Sequence, residues 1–305
     1  MSTIFTIPQD LFTTGTRPAN PTDTVANRPA PPQKAAVRIY ESSHPSVKSR
    51  VSIQKNLFSF LLEGEKVVHR PGDPLRISAG QFLLIAGGNC LMTEKLSVNN
   101  RYHSLLFFFD DALLKGFFAK YPALLQKQKT GQMIGCGEES VVCFESDAFI
   151  RNYLDSLQLL LQATPFLKEE LQVLKLEELL FYLADKYPES LFSFRLSDQS
   201  DFGDRQLKAA VQGNLNHAIT VEELAFVCNM SLSTFKRRFA RIYGTSPNKW
   251  LLQKRMEQAA LLLNQQVKPS EIYLEVGYEN HSSFTQSFKQ VYGVTPREFQ
   301  QKVNV

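Results

Sequence analysis

The sequence predicts an α+β protein: an N-terminal small β-barrel with a helical dimerisation segment, then an all-α domain of two helix-turn-helix units joined by a linker helix. Three observations predict it. Short β-like runs separated by turn residues follow an irregular N-terminus, helical apolar periods fill the middle, and a repeat of roughly 49 residues fills the last third.

At 305 residues the chain is long enough for two domains. Residues 1–35 are rich in Pro, Thr, Asn and Ala and show no apolar period, so a flexible arm is expected there. Over 36–109 the runs Val51–Gln54, Leu57–Leu62, Gln81–Ala86 and His103–Phe109 alternate with turn signals such as Glu63-Gly64 and Gly87-Gly88. Several short strands at that spacing suggest a small barrel or sandwich. Helices are expected over 110–188. Ile150, Tyr153, Leu154, Leu157, Leu160 and Leu161 recur at three- and four-residue steps, and Leu171, Leu174, Leu179, Leu180 and Leu183 form a second apolar face after Pro165. Such stripes pack into a core or against a second subunit, so 36–188 is read as an effector and dimerisation domain. A linker is placed at 189–201, where Ser, Phe, Asp and Gln mix after Pro188, and the last domain at 202–305.

Composition narrows the function. Apolar residues at 43% and charged residues at 21% fit a globular chain. No apolar run reaches the ~18–20 residues that span a bilayer. The start, MSTIFTIPQDLF, lacks a charged segment followed by an apolar one, so a cytoplasmic protein without membrane contact is expected. Charge is uneven along the chain: residues 1–200 balance 21 basic against 21 acidic side chains, whereas 201–305 hold 13 against 9, the whole formal +4. Lys236, Arg237, Arg238, Arg241, Lys249, Lys254 and Arg255 face a single acid, Glu257, over a short span, a pattern suited to a polyanion.

That basic run coincides with the repeat. Ser233–Pro247 aligns with Ser282–Pro296, and the matches fall where structure is built: Phe235 with Phe284, Phe239 with Phe288, Tyr243 with Tyr292, Gly244 with Gly293, Pro247 with Pro296. Gly then Pro marks a left-handed helix end and a stop beyond it. Upstream, Glu223-Leu-Ala225 through Asn229 matches Glu271-Ile-Tyr273 through Gly277, and Asn and Gly most easily take the positive φ of a tight inter-helix turn. Thr220-Val-Glu-Glu223 opens the first unit with a capping box. Each copy therefore predicts helix, tight turn, helix. Between them, Trp250, Leu251, Met256, Ala259, Leu262 and Leu263 give Pro247–Gln265 an apolar stripe, which predicts a rod of roughly 28 Å, close to one turn of DNA.

In such a unit the second helix enters the major groove of double-stranded DNA with its outward side chains. With Leu232, Phe235, Phe239 and Ile242 inward, the outward set of the first copy is Ser233, Thr234, Lys236, Arg237, Ala240 and Arg241; that of the second is His281, Ser282, Ser283, Gln286 and Gln290. Arg pairs with guanine and Gln with adenine in two-point contacts, so Lys236, Arg237, His281, Ser282 and Gln286 are assigned to bases. Arg238, Arg241, Ser231, Lys249 and Thr285 are assigned to phosphates or the surface.

The motifs Thr220–Ala225, Met230-Ser231, Phe235-Lys-Arg-Arg-Phe239, Gly244–Pro247, Arg255-x₃-Ala259-x₂-Leu262-Leu263, Val276-Gly-Tyr278, Phe284-x₃-Phe288 and Tyr292–Pro296 closely resemble, in order and spacing, the C-terminal domain of the AraC/XylS family of transcription regulators. The resemblance covers the last third of the chain. It implies a sequence-specific DNA-binding transcription factor, an activator of initiation that contacts RNA polymerase, works as a homodimer and senses a small-molecule or protein effector. Two positions depart from the family pattern: Tyr273 replaces a small alanine and Asn229 a turn glycine. Leu61–Gly64, Pro71–Asp73 and Gly80–Phe82 resemble the family's cupin-like effector domains, and Leu174–Leu180 resembles the subgroup that activates type III secretion genes, in which a protein partner exerts control.

Three other classes compete with this reading, one of them a non-specific nucleic-acid binder, which would hold unrelated duplexes about equally and with salt-dependent affinity. Cupin barrels often hold a catalytic metal, so a cupin-type metalloenzyme fused to a DNA-binding module is the alternative; yet His44, His69 and His103 include no H-x-H pair. A cysteine-based methyl acceptor needs a zinc-bound cluster, and Cys90, Cys136, Cys143 and Cys228 show no C-x₂₋₄-C spacing. Neither catalytic residues, metal nor cofactor is expected.

Overall fold

The computed structural model describes residues 4–9, 34–69, 74–126, 139–163, 169–194, 203–213 and 219–303. Among the described residues ten strands lead: β1 (Ile4–Ile7), β2 (Ala35–Ser42), β3 (Ser46–Ile53), β4 (Asn56–Glu63), β5 (Glu65–His69), β6 (Leu75–Ser78), β7 (Gln81–Ile85), β8 (Gly88–Lys95), β9 (Tyr102–Phe109) and β10 (Val141–Glu145). They form two five-stranded sheets, ordered β1-β3-β8-β5-β6 and β10-β7-β4-β9-β2. Helices α1 (Asp111–Lys120), α2 (Ala123–Gln126), α3 (Ala148–Ala163), α4 (Glu169–Lys186) and α5 (Pro188–Ser193) complete this part. The chain divides into two compact units, residues 1–68 with 76–199 and residues 69–75 with 200–305.

The first unit is built on phenylalanine. In the second sheet, β4 pairs with both β7 and β9, and its side chains are buried from Asn56 to Leu61. Phe60 stacks on Phe82 at 4.8 Å between ring centroids and Phe82 on Phe144 at 5.1 Å. Ile150, Tyr153, Leu157, Leu176, Leu179, Leu180 and Leu183 from α3 and α4 join the same core. The two helices are also tied by Asp147. Its carboxylate caps α3 by accepting from the Ile150 N–H at 3.0 Å, and it accepts from Lys186 and Tyr182 of α4, bonds that hold it well below the usual carboxylate range.

A cavity of about 300 Å³ is walled by both sheets, with Phe5 and Ile7 of β1, Met92 of β8 and Leu57 of β4 among its apolar residues. Lys66 and Glu94 are the charged residues at its wall besides Arg50. Lys66 is 2% exposed and donates to the Ser59 hydroxyl at 2.7 Å; burial pushes its pKa down.

Four expectations need correction. The N-terminal arm is not irregular throughout: Ile4–Ile7 pairs in parallel with Arg50–Ile53, because Ile7 buries its side chain and an exposed β3 edge offers free backbone partners. Residues 10–33 of that arm lie outside the described residues. Within the span assigned to helices, Val141–Glu145 is a strand that pairs antiparallel with β7 along its whole length. The supposed linker begins with α5, and Leu191, Phe192 and Phe194 are buried in the first unit's core, so residues up to 194 belong there. Finally, Leu171 and Leu174 do not share the inward face of α4; they are 42% and 59% exposed, with Leu159 of α3 at 64%. The side chain of Leu160 lies outside the described residues.

The second unit holds α6 (Gly203–Gly213), α7 (Val221–Val227), α8 (Leu232–Tyr243), α9 (Pro247–Asn264), α10 (Pro269–Glu275), α11 (His281–Tyr292) and α12 (Pro296–Val303). No helix among the described residues is long and apolar enough to cross a membrane.

Candidate nucleic-acid interface

Two helix pairs, α7–α8 and α10–α11, repeat one local design. Thr220 and Glu223 form the reciprocal capping box that starts α7. The turns that follow place Asn229 at φ 53° and Gly277 at φ 82°, the left-handed region that the sequence requires at those two positions. Ser231 and Asn280 then cap α8 and α11, accepting from the N–H groups of Thr234 (3.2 Å) and Ser283 (2.9 Å). Both helices end on a left-handed glycine, Gly244 and Gly293.

Inward faces hold each pair together. Phe235 and Phe239 are fully buried, and Phe239 meets Tyr243 at 4.5 Å and Trp250 at 5.7 Å. In the second pair Phe284 and Phe288 are fully buried, with Phe288 against Tyr292 (4.7 Å) and Phe299 (5.4 Å). Trp250 and Phe299 occupy equivalent places in the repeat, each on the helix that follows the Pro247 or Pro296 start. The connecting helix α9 packs against α8 on one side and against α10, α11 and α12 on the other, burying Leu251, Met256, Ala259, Ala260 and Leu263. At ~1.5 Å per residue its 18 residues span about 27 Å.

Outward faces carry the predicted contact residues. Ser233, Lys236, Arg237 and Arg241 of α8 are exposed, Thr234 and Arg238 half-buried; His281, Ser282, Ser283 and Gln286 of α11 are exposed, Thr285 half-buried. Lys236, Arg237, Lys249 and Gln286 make no side-chain hydrogen bond or ion pair with a described residue. Six of the residues singled out in the sequence have partners within the fold. Arg241 donates to Asp204 of α6 at 2.6 Å, and Arg238 stands 3.9 Å from the same carboxylate. Ser231 is a helix cap, and Thr285 donates its hydroxyl to the His281 carbonyl at 2.9 Å, as helical Thr commonly does one turn back. Arg255 is part-buried and donates to the Ile219 carbonyl at 3.1 Å. Lys254 pairs with Glu257 at 2.7 Å.

Sequence reasoning missed Asp204, whose partners lie 34 and 37 residues away. It also missed Tyr273 as a neighbour of the predicted reader His281: the two rings meet edge to face at 6.0 Å. Among the described residues no group of three or more His, Cys, Asp or Glu could hold a metal. Burial pushes the Cys90 and Cys228 thiols up to about 12, the opposite of what a reactive cysteine needs; Cys136 lies outside the described residues.

Known proteins share both parts. Residues 56–194 match the ExsA N-terminal regulatory domain family, and residues 224–302 match a helix-turn-helix domain family. The HTH-type transcriptional regulator ExsA of Pseudomonas aeruginosa is 26% identical over 261 residues, 84% of this chain and 90% of ExsA. The virulence regulon transcriptional activator VirF of Yersinia enterocolitica is 29% identical over 159 residues, 52% of this chain and 58% of VirF. Among solved structures, ToxT of Vibrio cholerae aligns over 88% of this chain and 98% of its own, at 10% identity and a TM-score of 0.39. The DNA-binding domain of AdpA, solved in complex with a target DNA, aligns over 33% of this chain and 91% of its own, at 27% identity and a TM-score of 0.31.

Proposed function

We propose that the chain is a member of the AraC/XylS family of DNA-binding transcription activators, and that α8 and α11 enter neighbouring major grooves on one face of a promoter, α8 with cationic and α11 with uncharged polar edges. It is a transcription regulator with an N-terminal regulatory domain and not an enzyme. The observation that carries the proposal is the repeated exposure: Lys236 and Arg237 on one helix, His281, Ser282 and Gln286 on the other, each opposite a buried pair of phenylalanines.

Within this reading Lys236, Arg237, His281, Ser282 and Gln286 address base edges, and Ser233, Thr234 and Ser283, near the helix starts, address the backbone. The first unit receives the signal. Its two sheets, which share the cavity beside Lys66, form the sides of a small cupin-like barrel, and that cavity suits a small ligand as effector. A protein effector is the other form of signal. The exposed leucines of α3 and α4, Leu159, Leu171 and Leu174, suit a homodimer contact. Promoter-bound dimers then recruit RNA polymerase.

The test is Arg237→Ala in the full chain, assayed on a duplex the wild-type chain selects from a randomised pool. Affinity falls by about 1–3 kcal/mol and base preference relaxes at one position. Unchanged affinity and preference would remove α8 from the readout.

A further inference from the structure

We propose that Asp204 restrains DNA binding by holding Arg241 and Arg238 off the phosphate backbone. The proposal rests on the reading of α8 as a groove-entering helix. Asp204 lies in the first turn of α6, and its Oδ2 accepts from Arg241 Nη2 at 2.6 Å. Its Oδ1 stands 3.9 Å from Arg238 Nη1 and makes no hydrogen bond with a described residue. Arg238 and Arg241 are three residues apart and so share one edge of α8. One carboxylate therefore answers two of the four cations that α8 carries, leaving Lys236 and Arg237.

The carboxylate favours this placement. The start of a helix bears partial positive charge, which attracts Asp204 and repels a guanidinium. Gly203 allows the approach: a Cβ there would stand 2.0 Å from Arg238 Nη1. Without the Asp204 charge, both arginines face an unfavourable dipole and turn toward solvent and the nearest phosphates. Wild-type exchange is easy as well. Asp204 is 46% and Arg241 66% exposed in the side chain, and exposed pairs of this kind are weak, whereas a forked guanidinium bond to phosphate is among the stronger ones. The pair thus sets a threshold: part of the cationic charge of α8 reaches DNA only when the start of α6 gives it up.

The experiment is a salt titration of binding by the full chain to its selected duplex, for wild type and Asp204→Asn. Loss of the carboxylate tightens binding about three- to tenfold at low salt. It steepens the slope of log affinity against log salt by about one to two, since each added phosphate contact contributes about 0.9. In an Arg241→Gln background the same substitution leaves the slope unchanged or steepens it by less than one. Weaker binding by Asp204→Asn would show that the carboxylate positions the arginines for DNA, and an unaltered slope would show that they never reach it; either overturns the proposal. A wild-type chain that does not distinguish the selected duplex from an unrelated one instead strikes at α8 as a reader.

Discussion

The two helix-turn-helix units have the same interior and different exteriors. Phe235, Phe239, Tyr243 and Trp250 in the first correspond one for one with Phe284, Phe288, Tyr292 and Phe299 in the second, and both recognition helices run from a polar cap to a left-handed glycine. Outside, α8 carries Lys236, Arg237, Arg238 and Arg241, whereas α11 presents His281, Ser282, Ser283 and Gln286 with Lys289 in its last turn. A scaffold fixed by burial leaves the exposed edge free to diverge, and here it has divided into a charged edge and a polar one. Charge supplies affinity that salt weakens; neutral two-point contacts supply discrimination that salt hardly touches.

The most severe challenge to that equivalence is truncation of the interior. Phe239→Ala and Phe288→Ala each cost about 3–5 kcal/mol, from lost burial and the cavity left behind. Chemical denaturation of the full chain reads both; a cost several-fold smaller at one site breaks the claim of one design used twice. The exteriors are separated by a gentler pair of changes. Gln286→Ala costs about 1–3 kcal/mol of discrimination at one base pair and leaves the salt slope as it was, while Lys236→Gln lowers the slope by up to about one. A slope lowered at Gln286 and unchanged at Lys236 would exchange the roles. The smallest effect belongs to the turns. Gly277→Ala, at φ 82°, destabilises by about 1 kcal/mol, whereas Asn229→Gly, at φ 53°, shifts stability by a few tenths of a kcal/mol, because asparagine already tolerates that region. Thermal melts of the two variants measure the difference.

What the sequence discloses follows the range of the interactions. Caps, left-handed glycines and the phenylalanine pairs are set within a few residues of one another, so the repeat exposes them directly. Strand β1 depends on an edge more than forty residues away, and β10 on β7 across more than fifty, and neither short run identifies its partner. Counting charges located a basic stretch but not what answers each charge. Arg255 donates to Ile219, and Arg238 and Arg241 meet Asp204, contacts that only the fold brings together. Tyr273, which departs from the small residue of the pattern this region resembles, is accommodated half-buried at the rim of the second core, its ring edge-on to His281.

The proposed pair of reading heads on one rod makes a definite demand on DNA. Sequencing the duplexes that the full chain retains from a randomised pool gives two blocks of strong base preference about one helical turn, roughly 10 base pairs, apart. In the same selection Arg237→Ala erodes one block and Gln286→Ala the other. A single block eroded by both substitutions, or by neither, contradicts the account.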